Sequence, residues 1–378
     1  MLLESQKIIV AHIRDSSGVY GAERVILALG KNPDKTRFSI MILCLRNEKE
    51  KSENLILEAK RLGIDVTPVD VRGRIDFNGI MKVRSILREK NVKILHCHDF
   101  KSNFYGLLAS INLDIKRVVT MHGSTRDSFL KKVYLFLDEM FVYRFFNKII
   151  AVSWDISKQL KKKGIKSRKI QVIQNGLDFH AMGPGVSKSI FETPLNIPDG
   201  DKVIGVIGRL YPDKGHRYFL DAFSRVCRTY PCTKALIVGE GPLKNDIKKK
   251  IIDLSVEENV ILSGFRSDME YIYSRIDLLV IPSLREGLPY VLLEAMGSKV
   301  PVLATAVGDI PLLVENGVTG YLVSAGESEG LEKGMMDLLS NPIKAKEMAE
   351  RGYRVVLEKF SAERMVRNTE TLYMSLVN

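Results

Sequence analysis

The chain has few cysteines and no long apolar run. Its four cysteines are scattered among apolar neighbours: Cys44, Cys97, Cys227 and Cys232. This spacing fits neither a paired-cysteine zinc site nor a disulfide framework. No segment approaches the ~18 consecutive apolar residues of a membrane-spanning helix, and the start, MLLESQKIIVAHI, lacks the basic stretch and cleavage site of a signal peptide. We therefore expect reduced thiols and a cytoplasmic protein that does not span a membrane.

Familiar phosphate and metal motifs are also missing. No G-x-x-x-x-G-K-[ST] occurs, and the GEG of residues 239–241 is not followed by x-x-Gly. The Asp-x-Asp of residues 199–201 stands where ordinary turn residues are expected. His96 and His98 would share one face of a strand and could suggest a metal, but without a nearby third ligand a place in a cleft or core is favoured. We expect no metal and no cofactor.

The surplus of positive charge lies in the middle of the chain. Of the 57 Lys and Arg residues 27 fall within residues 101–250, against 13 of the 45 Asp and Glu residues, and the rest of the chain is nearly neutral. Such a belt suits an anionic partner: phosphate, nucleic acid or a lipid surface. No nucleic-acid reader motif is visible, so we expect no specific nucleic acid partner.

Twelve short β-branched runs, each predicted to form a strand, alternate with helical patterns along most of the chain. Near-continuous apolar strands separated by amphipathic helices predict parallel sheets covered on both faces. The series is broken once, in the Gly-, Pro- and Ser-rich stretch 178–201. We predict an α/β protein of two doubly wound, Rossmann-like domains: residues 1–182, a linker at 183–200, and residues 201–359. A final helix at about 360–378 is expected to pack back on the first domain.

The strongest chemical signals follow predicted strands of the second domain. Arg209 and Lys214 lie in the loop of VIGRLYPDKG, where a bidentate cation and a mobile one suit a diphosphate. Solvated surface charges are the alternative. Further on, SLREGLPYVLLEAM places Glu286 in a loop before a helix and Glu294 about two turns along it. Sugar or ribose hydroxyls are natural partners for such acids, and the helix start favours an anion.

Taken together, these motifs resemble the retaining glycosyltransferases of family 4, which have the GT-B fold. The resemblance covers nearly the whole chain: YGAER, HCHD, TMHG, GRLYPDKG, VGEGP, SGF, PSLREGLPYVLLEAM and PVLAT follow in the family's order. It implies two domains facing a cleft, the first on the acceptor side and the second holding a nucleotide-diphosphate sugar, a UDP- or GDP-sugar. It also implies a metal-independent, same-face transfer.

The resemblance assigns roles residue by residue. It places Arg209, Lys214, Gly21, Gly287 and Leu288 on the donor diphosphate, and Glu286 and His122 on the transferred sugar. Nucleotide-binding residues would be Glu294, Gly241, Gly264, Phe265 and Arg266. The family often has Gly-Gly-Ala-Glu in its first loop, whereas Tyr20 precedes Gly21 here. Tyr20 and Asp99 are therefore expected on the acceptor side.

Two other functions fit parts of the pattern. A nucleotide-sugar epimerase or a phosphorylase would use the same two domains, and product analysis with and without an acceptor separates them from a transferase. A nucleic-acid-binding protein would account for the basic belt, and a salt series of filter binding tests it.

The acceptor side carries a basic and aromatic segment, residues 127–169. Seven aromatics stand among basic residues in 127–150, and residues 158–169 hold seven basic residues and no acid. Aromatic side chains beside Lys and Arg suit an anionic membrane surface, although aromatics covering a sheet are the alternative. We expect a peripheral protein on the cytoplasmic face of the membrane, acting on a glycan or lipid-linked acceptor.

Overall fold

The computed structural model describes residues 7–15, 21–47, 53–73, 75–122, 142–179, 195–198 and 200–377. The chain forms two compact units. Unit 1 comprises Met1–Gly176 and Ala362–Asn378, and unit 2 comprises Leu177–Ser361. The boundary in the structure thus lies six residues before the one expected at residue 182. Most of the expected linker, 183–200, lies outside the described residues and stays a prediction.

The core of unit 1 is a parallel sheet with strand order β3-β2-β1-β4-β5-β6-β7. Its strands are β1 (Ile8–Asp15), β2 (Phe38–Asn47), β3 (Asp65–Val71), β4 (Ile94–Cys97), β5 (Lys116–Met121), β6 (Lys148–Ala151) and β7 (Ile170–Val172). The helices of this part are α1 (Gly21–Lys31), α2 (Asn54–Arg61), α3 (Phe77–Glu89), α4 (Phe100–Ala109) and α5 (Trp154–Lys162). The apolar runs of the central strands are buried because helices cover the sheet.

Unit 2 is built on a second parallel sheet, with strand order β10-β9-β8-β11-β12-β13. Its strands are β8 (Lys202–Ile207), β9 (Thr233–Val238), β10 (Val260–Gly264), β11 (Leu278–Ile281), β12 (Val302–Thr305) and β13 (Tyr321–Val323). Its helices are α6 (His216–Thr229), α7 (Lys244–Asp253), α8 (Met269–Arg275), α9 (Tyr290–Gly297), α10 (Ser328–Ser340) and α11 (Pro342–Lys359). Two apolar clusters pack on the sheet.

The last helix, α12 (Ala362–Val377), belongs to unit 1 and packs against α1. Its apolar face includes Met365, Val366 and Leu372, which are buried. Its Tyr373 is almost completely buried and reaches the side chain of His96 in β4. The chain therefore returns to its first sheet after unit 2 is complete.

The predicted doubly wound architecture is confirmed, with one strand added. The twelve apolar runs expected to form strands do so, but the apolar pattern did not predict β3. Its sequence, DVTPVDV, alternates with acids and contains Pro68. Such a sequence is tolerated because β3 is the edge strand of its sheet, where a proline disrupts no second ladder. None of the described helices is long and apolar enough to cross a bilayer.

Both sheets have a switch point, where strand order reverses and ligands of open α/β sheets bind. In unit 1 it lies between β1 and β4, and in unit 2 between β8 and β11. The loops after these four strands carry most of the residues that the sequence singles out. Topology alone therefore brings the loop of Lys214 beside the loop of Glu286.

Candidate functional site

An ion pair stands at the switch point of unit 2. Nζ of Lys214, from the loop after β8, lies 2.7 Å from Oε1 of Glu286, from the loop after β11. The hydroxyl of Ser283 donates to the same oxygen over 2.7 Å. The Glu286 side chain is only 8% exposed. The carboxylate is thus held in one orientation by two donors, and the cation is held beside it.

Glycines bring the loops of this site together. Gly215 adopts φ +69° directly after the 3-10 turn Pro212–Lys214, and a Cβ there would lie 1.9 Å from the carbonyl oxygen of Pro282. The N–H of Leu284 donates to the carbonyl of Asp213 over 2.8 Å. The backbones of the two loops are therefore in direct contact, which sets the distance between the cation and the acid.

A third loop, which follows β12, contacts the backbone of Glu286 and Gly287. Gly308 follows β12 with φ +58°, and a Cβ there would lie 2.2 Å from the carbonyl oxygen of Glu286. The N–H of Asp309 donates to the carbonyl of Gly287 over 2.9 Å. Leu288 is buried in the core of unit 2, so only its backbone is available to an anion. The 286–288 backbone is consequently fixed before any ligand arrives.

Arg209 is exposed, and its guanidinium carbon lies 5.0 Å from the ring centre of Tyr211. This stacking restrains the charged group next to the loop of Lys214. The two glycines of VGEGP, which the sequence predicts to approach a neighbouring group closely, lie against this loop. A Cβ on Gly239 would lie 1.9 Å from the carbonyl oxygen of Gly208, and one on Gly241 would lie 2.5 Å from that of Leu210. The predicted role of Gly241 in nucleotide binding stays a prediction.

Glu294 lies on α9, and the residue is 3% exposed. The hydroxyl of Tyr273, in α8, donates to its Oε2 over 2.8 Å. A buried carboxylate requires such donors, and the sequence offered none nearby. Tyr273, which sequence reasoning missed, is therefore one of the groups that hold Glu294 in place.

The residues expected around the base follow β10. Gly264 has φ +74°, and Phe265 after it is 43% exposed. Arg266 is buried, and its Nε and Nη2 donate to the two oxygens of Asp268 over 2.8 and 2.5 Å. Its guanidinium is thus held in a pair with Asp268, and the predicted contacts of Gly264, Phe265 and Arg266 with a nucleotide stay predictions.

In unit 1, His122 directly follows β5 and is half-buried. Its Nε2 lies 3.0 Å from Nδ1 of His98, whose Nε2 lies 2.8 Å from Nδ1 of His12. Burial lowers the pKa of His122 to about 3, and the nearby charge of Arg14 acts in the same direction. The ring is therefore neutral at pH 7.

A third histidine, His12 from β1, lies beside His96 and His98 in the structure. Ring nitrogens of His12, His96 and His98 lie within 4.8 Å of one another, the only such cluster of His, Cys, Asp and Glu within the described residues. His12 was hidden from sequence reasoning because it is 84 positions away from His96. Parallel pairing places them side by side, since His12 is the register partner of His96.

The switch point of unit 1 carries an arginine that was also missed. Nε of Arg14 donates to the buried Glu23 over 2.8 Å, and Nη1 donates to the carbonyl of His98 over 2.8 Å. Asp99 caps α4 by accepting from the N–H of Ser102, and its Oδ2 accepts from the N–H of Asp15. Glu23, an acid in the first turn of a largely apolar helix, was the available signal for the Arg14–Glu23 pair.

Two more predicted site residues, Tyr20 and Gly21, follow β1 in the sequence. Gly21 begins α1 and is half-buried. Tyr20, expected on the acceptor side, lies outside the described residues. The predicted contacts of Gly21 with a diphosphate and of Asp99 with an acceptor stay predictions.

Two relatives whose names state an activity match 98% and 78% of the chain. The UDP-Gal:alpha-D-GlcNAc-diphosphoundecaprenol alpha-1,3-galactosyltransferase of Escherichia coli is 25% identical over 98% of both chains. The N-acetyl-alpha-D-glucosaminyl L-malate synthase of Bacillus anthracis is 27% identical over 78% of both chains. The crystal structure of Anabaena HepE in complex with UDP and glucose superposes with a TM-score of 0.81 at 21% identity, covering 97% of this chain and all of the other.

Two family models cover the chain in succession. "Glycosyltransferase Family 4" matches residues 19–180, and "Glycosyl transferases group 1" matches residues 187–355. The first match ends four residues beyond the Gly176 boundary of unit 1, and the second lies within unit 2, so each match covers essentially one of the two parallel-sheet units of the GT-B fold. The chain belongs to the group 1 glycosyltransferases.

Proposed function

We propose that the chain is a retaining, metal-independent transferase that moves a sugar from a nucleotide diphosphate to a lipid-linked glycan acceptor. The observation that carries the proposal is the Lys214–Glu286 pair at the switch point of unit 2. Departure of a diphosphate develops negative charge, which a fixed cation in a shielded site stabilises. Lys214 is held within reach of that position by Glu286, and Arg209 supplies the second cation.

The acids divide the donor between them in this proposal. Glu286 accepts hydrogen bonds from hydroxyls of the transferred sugar, and Glu294 accepts them from the ribose. The backbone at Gly287 and Leu288 faces the diphosphate, as does Gly21 from unit 1, and Gly264 to Arg266 hold the base. UDP is the favoured nucleotide, because the E. coli relative is named for UDP-Gal and HepE was crystallised with UDP.

A donor and acceptor screen tests the activity. Purified protein is incubated with UDP-galactose, UDP-glucose, UDP-N-acetylglucosamine or GDP-mannose, with and without GlcNAc-diphosphoundecaprenol, in EDTA. We expect a new glycolipid whose anomeric configuration, read by NMR, equals that of the donor. Products without acceptor would instead indicate an epimerase, inverted configuration would refute the retaining mechanism, and activity restored only by Mg²⁺ or Mn²⁺ would refute metal independence.

The assignment of the diphosphate site is tested by three variants. Lys214→Ala and Arg209→Ala should each lower turnover by ~100-fold, a loss typical of removing one charge-stabilising donor. Lys214→Arg is the matched control, since it keeps the charge and the pair with Glu286. Near-normal turnover in both alanine variants, with the fold retained, would remove these residues from the mechanism.

The acceptor proposal rests on a basic surface of unit 1, here called the basic face: residues 142–148 and 154–169. Phe145 is 62% exposed and Trp154 is 52% exposed, whereas Tyr143 and Phe146 are buried in the core. Two of these aromatic side chains are therefore exposed, as contact with a membrane requires, and two pack in the core, as the alternative interpretation predicts. Residues 127–141 of the predicted segment lie outside the described residues.

The two parts of the basic face are joined by hydrogen bonds. Lys169 donates to the carbonyl of Phe146 over 2.8 Å, and Lys148 donates to that of Arg168 over 3.0 Å. Burial lowers the pKa of Lys169, and the charges of Arg168, Lys166 and Arg117 lower it further. Crowded cations beside exposed aromatic rings favour an anionic bilayer. The diphosphoundecaprenol in the E. coli relative's name supports a lipid-linked acceptor. The proposed location is the cytoplasmic face of the membrane that holds such an acceptor.

Sedimentation with vesicles tests this surface. The protein should pellet with phosphatidylglycerol vesicles and not with phosphatidylcholine vesicles, and binding should fade as salt rises. Changing Lys161, Lys162 and Lys163 to Glu should abolish it. The control makes the same charge change on unit 2, at the exposed Lys248, Lys249 and Lys346, and should bind as the unmodified protein does. Equal binding of both triple variants, or none at low salt, would refute the basic face as a membrane site.

A further inference from the structure

Six polar side chains of unit 1 lie end to end in hydrogen-bond contact. In order they are Thr120, His96, Tyr373, His12, His98 and His122, here called the histidine chain. Successive contacts measure 2.6, 2.6, 3.5, 2.8 and 3.0 Å. Every member except His122 is buried. A ligand can therefore reach the histidine chain through the ring of His122.

The protons of the histidine chain are coupled because each ring is neutral. Burial lowers the pKa of all four histidines well below the usual value. A neutral imidazole has one N–H donor and one acceptor nitrogen. When one ring donates to its neighbour, that neighbour must donate onward from its other nitrogen. Hydrogen bonds on the same side of Tyr373 therefore share one direction.

Tyr373 selects between the two possible directions. Burial raises the pKa of its hydroxyl well above the usual value, so the phenol keeps its single proton. Nδ1 of His96 lies 2.6 Å from the hydroxyl, whereas Nε2 of His12 lies 3.5 Å away. The proton belongs to the shorter contact, since hydrogen bonds weaken at 3.5 Å. The phenol oxygen then faces His12 with a lone pair.

The direction propagates from there to the surface. His12 carries its proton on Nε2, toward the phenol oxygen, and accepts from His98 at Nδ1. His98 likewise carries its proton on Nε2 and accepts from His122 at Nδ1. His122 is then protonated on Nε2, and its Nδ1 presents a lone pair outside the chain.

We propose that the histidine chain fixes the tautomer of His122, so that Nδ1 of His122 accepts a hydrogen bond from a hydroxyl of the donor sugar. Tyr373, His12 and His98 are positioning residues for this contact. A fixed acceptor costs no reorganisation when the sugar binds. The tautomer stands on unit 1 alone, whereas its use toward a donor sugar rests on the proposed function.

A metal centre in the same cluster is the competing interpretation, and the geometry disfavours it. Two imidazole nitrogens on one tetrahedral zinc ion are about 3.3 Å apart, given Zn–N bonds of about 2.0–2.1 Å. Nδ1 of His12 and Nε2 of His98 are 2.8 Å apart, which is a hydrogen-bond distance. Each ring nitrogen of His12, His96 and His98 also has a partner in the chain, so no lone pair is left for an ion.

The experiment is a two-bond ¹H–¹⁵N correlation spectrum of protein labelled in its histidines, at pH 7.5 and without ligands. The chain has six histidines, so single substitutions assign the signals. We expect His12, His96, His98 and His122 as neutral rings protonated on Nε2. In Tyr373→Phe the signals of His122 should move toward a mixture of tautomers, and turnover with UDP-galactose should fall about 10-fold, the equivalent of one hydrogen bond.

Tyr105→Phe is the matched control. Tyr105 is also a buried tyrosine of unit 1, and its hydroxyl, 2.8 Å from the N–H of Asp76, lies outside the histidine chain. Its removal should leave the His122 signals unchanged. If Tyr373→Phe does not fold, Thr120→Val is used instead. It removes the partner of His96 at the end of the histidine chain opposite His122, and the same spectrum measures its effect.

Several outcomes would overturn the inference. A His122 ring protonated on Nδ1 in the unmodified protein would mean that the hydrogen bonds of the histidine chain run in the opposite direction. His122 signals unchanged by Tyr373→Phe or Thr120→Val would mean that the tautomer of His122 does not depend on the histidine chain. A stoichiometric divalent metal in elemental analysis would replace it with a metal centre. Because the spectrum needs no substrate, its result holds even if the donor screen shows no transfer, and the two proposals fail separately.

Discussion

Acidification from pH 7.5 to 5.5 should destabilise unit 1 selectively, because three of its histidines are buried without charge. Burial lowers the pKa of His12 to about 3 and those of His96 and His98 well below the usual value. The unfolded chain therefore binds protons more tightly than the folded one. Stability is complete above pH ~6.5 and falls as the pH drops through that value toward the folded pKa.

The magnitude follows from the number of rings. A histidine that stays neutral when folded and has an unfolded pKa near 6.5 costs about 1.4 kcal/mol of stability at pH 5.5. Three such rings cost about 4 kcal/mol, a large part of the ~5–15 kcal/mol that stabilises a domain. His122 is only half-buried and is left out of this sum, which is therefore a minimum for the histidines of unit 1. Asp15 and Glu370, whose pKa values burial raises, act with the opposite sign, mostly below this window.

Unit 2 is the internal control. Its described residues contain one comparable ring, His216, whose pKa burial lowers to about 4. Unit 2 should therefore lose only about 1.4 kcal/mol over the same interval. The ratio between the units depends on histidine burial and not on the solvent, so it separates this effect from a general sensitivity to acid.

Urea unfolding at the two pH values measures both units. Trp154 is the single tryptophan of the chain and lies in α5, so its fluorescence reports on unit 1. Hydrogen exchange of peptides from β8 and β9 reports on unit 2. In His12→Gln the loss in unit 1 should shrink by about a third. Equal losses in the two units, or a loss in unit 1 no larger than that of one histidine, would refute the reasoning.

Three further changes have expected outcomes. Glu286→Gln should mainly lower turnover or relax the choice of sugar, whereas Glu294→Gln should weaken binding of UDP itself in calorimetry; equal losses of UDP affinity would mean that the roles are misassigned. Gly239→Ala should destabilise unit 2 by more than the ~1–3 kcal/mol of backbone strain, because its Cβ would overlap a carbonyl of the next loop. Gly317→Ala is the control with strain alone, since nothing lies within 4 Å of its Cβ, and similar denaturation midpoints would contradict the overlap.

The candidate site of unit 2 was foreseen in its members but not in its contacts. Arg209, Lys214 and Glu286 each follow an apolar run, and ligand groups gather after strands in such folds. Lys214 and Glu286 are 72 positions apart along the chain, and they pair because β8 and β11 are neighbours in the sheet. Sequence spacing carries no signal for this, because strand order is decided by the packing of whole helices and strands.

The glycines show the same limit. The positions of Gly239 and Gly241 after a strand predicted a close neighbour without identifying it, and only the resemblance placed Gly241 on a nucleotide. In the structure each lies against a carbonyl of the adjacent loop. A glycine in a sequence indicates that something comes close, but the neighbour is known only after the chain has folded.

What the sequence by itself determined is local or repetitive: the alternation of strands and helices, the charge belt, and the motifs at strand ends. These follow from the period of apolar residues and from turn chemistry, which act over a few positions. Edge strand β3 was lost because its apolar signal is weak. Only the tertiary structure decided which distant residues meet. Tyr373 reaches His96 from 277 positions away because α12 returns to unit 1, and contacts of that range are set by the burial of apolar faces across the whole domain rather than by any local pattern.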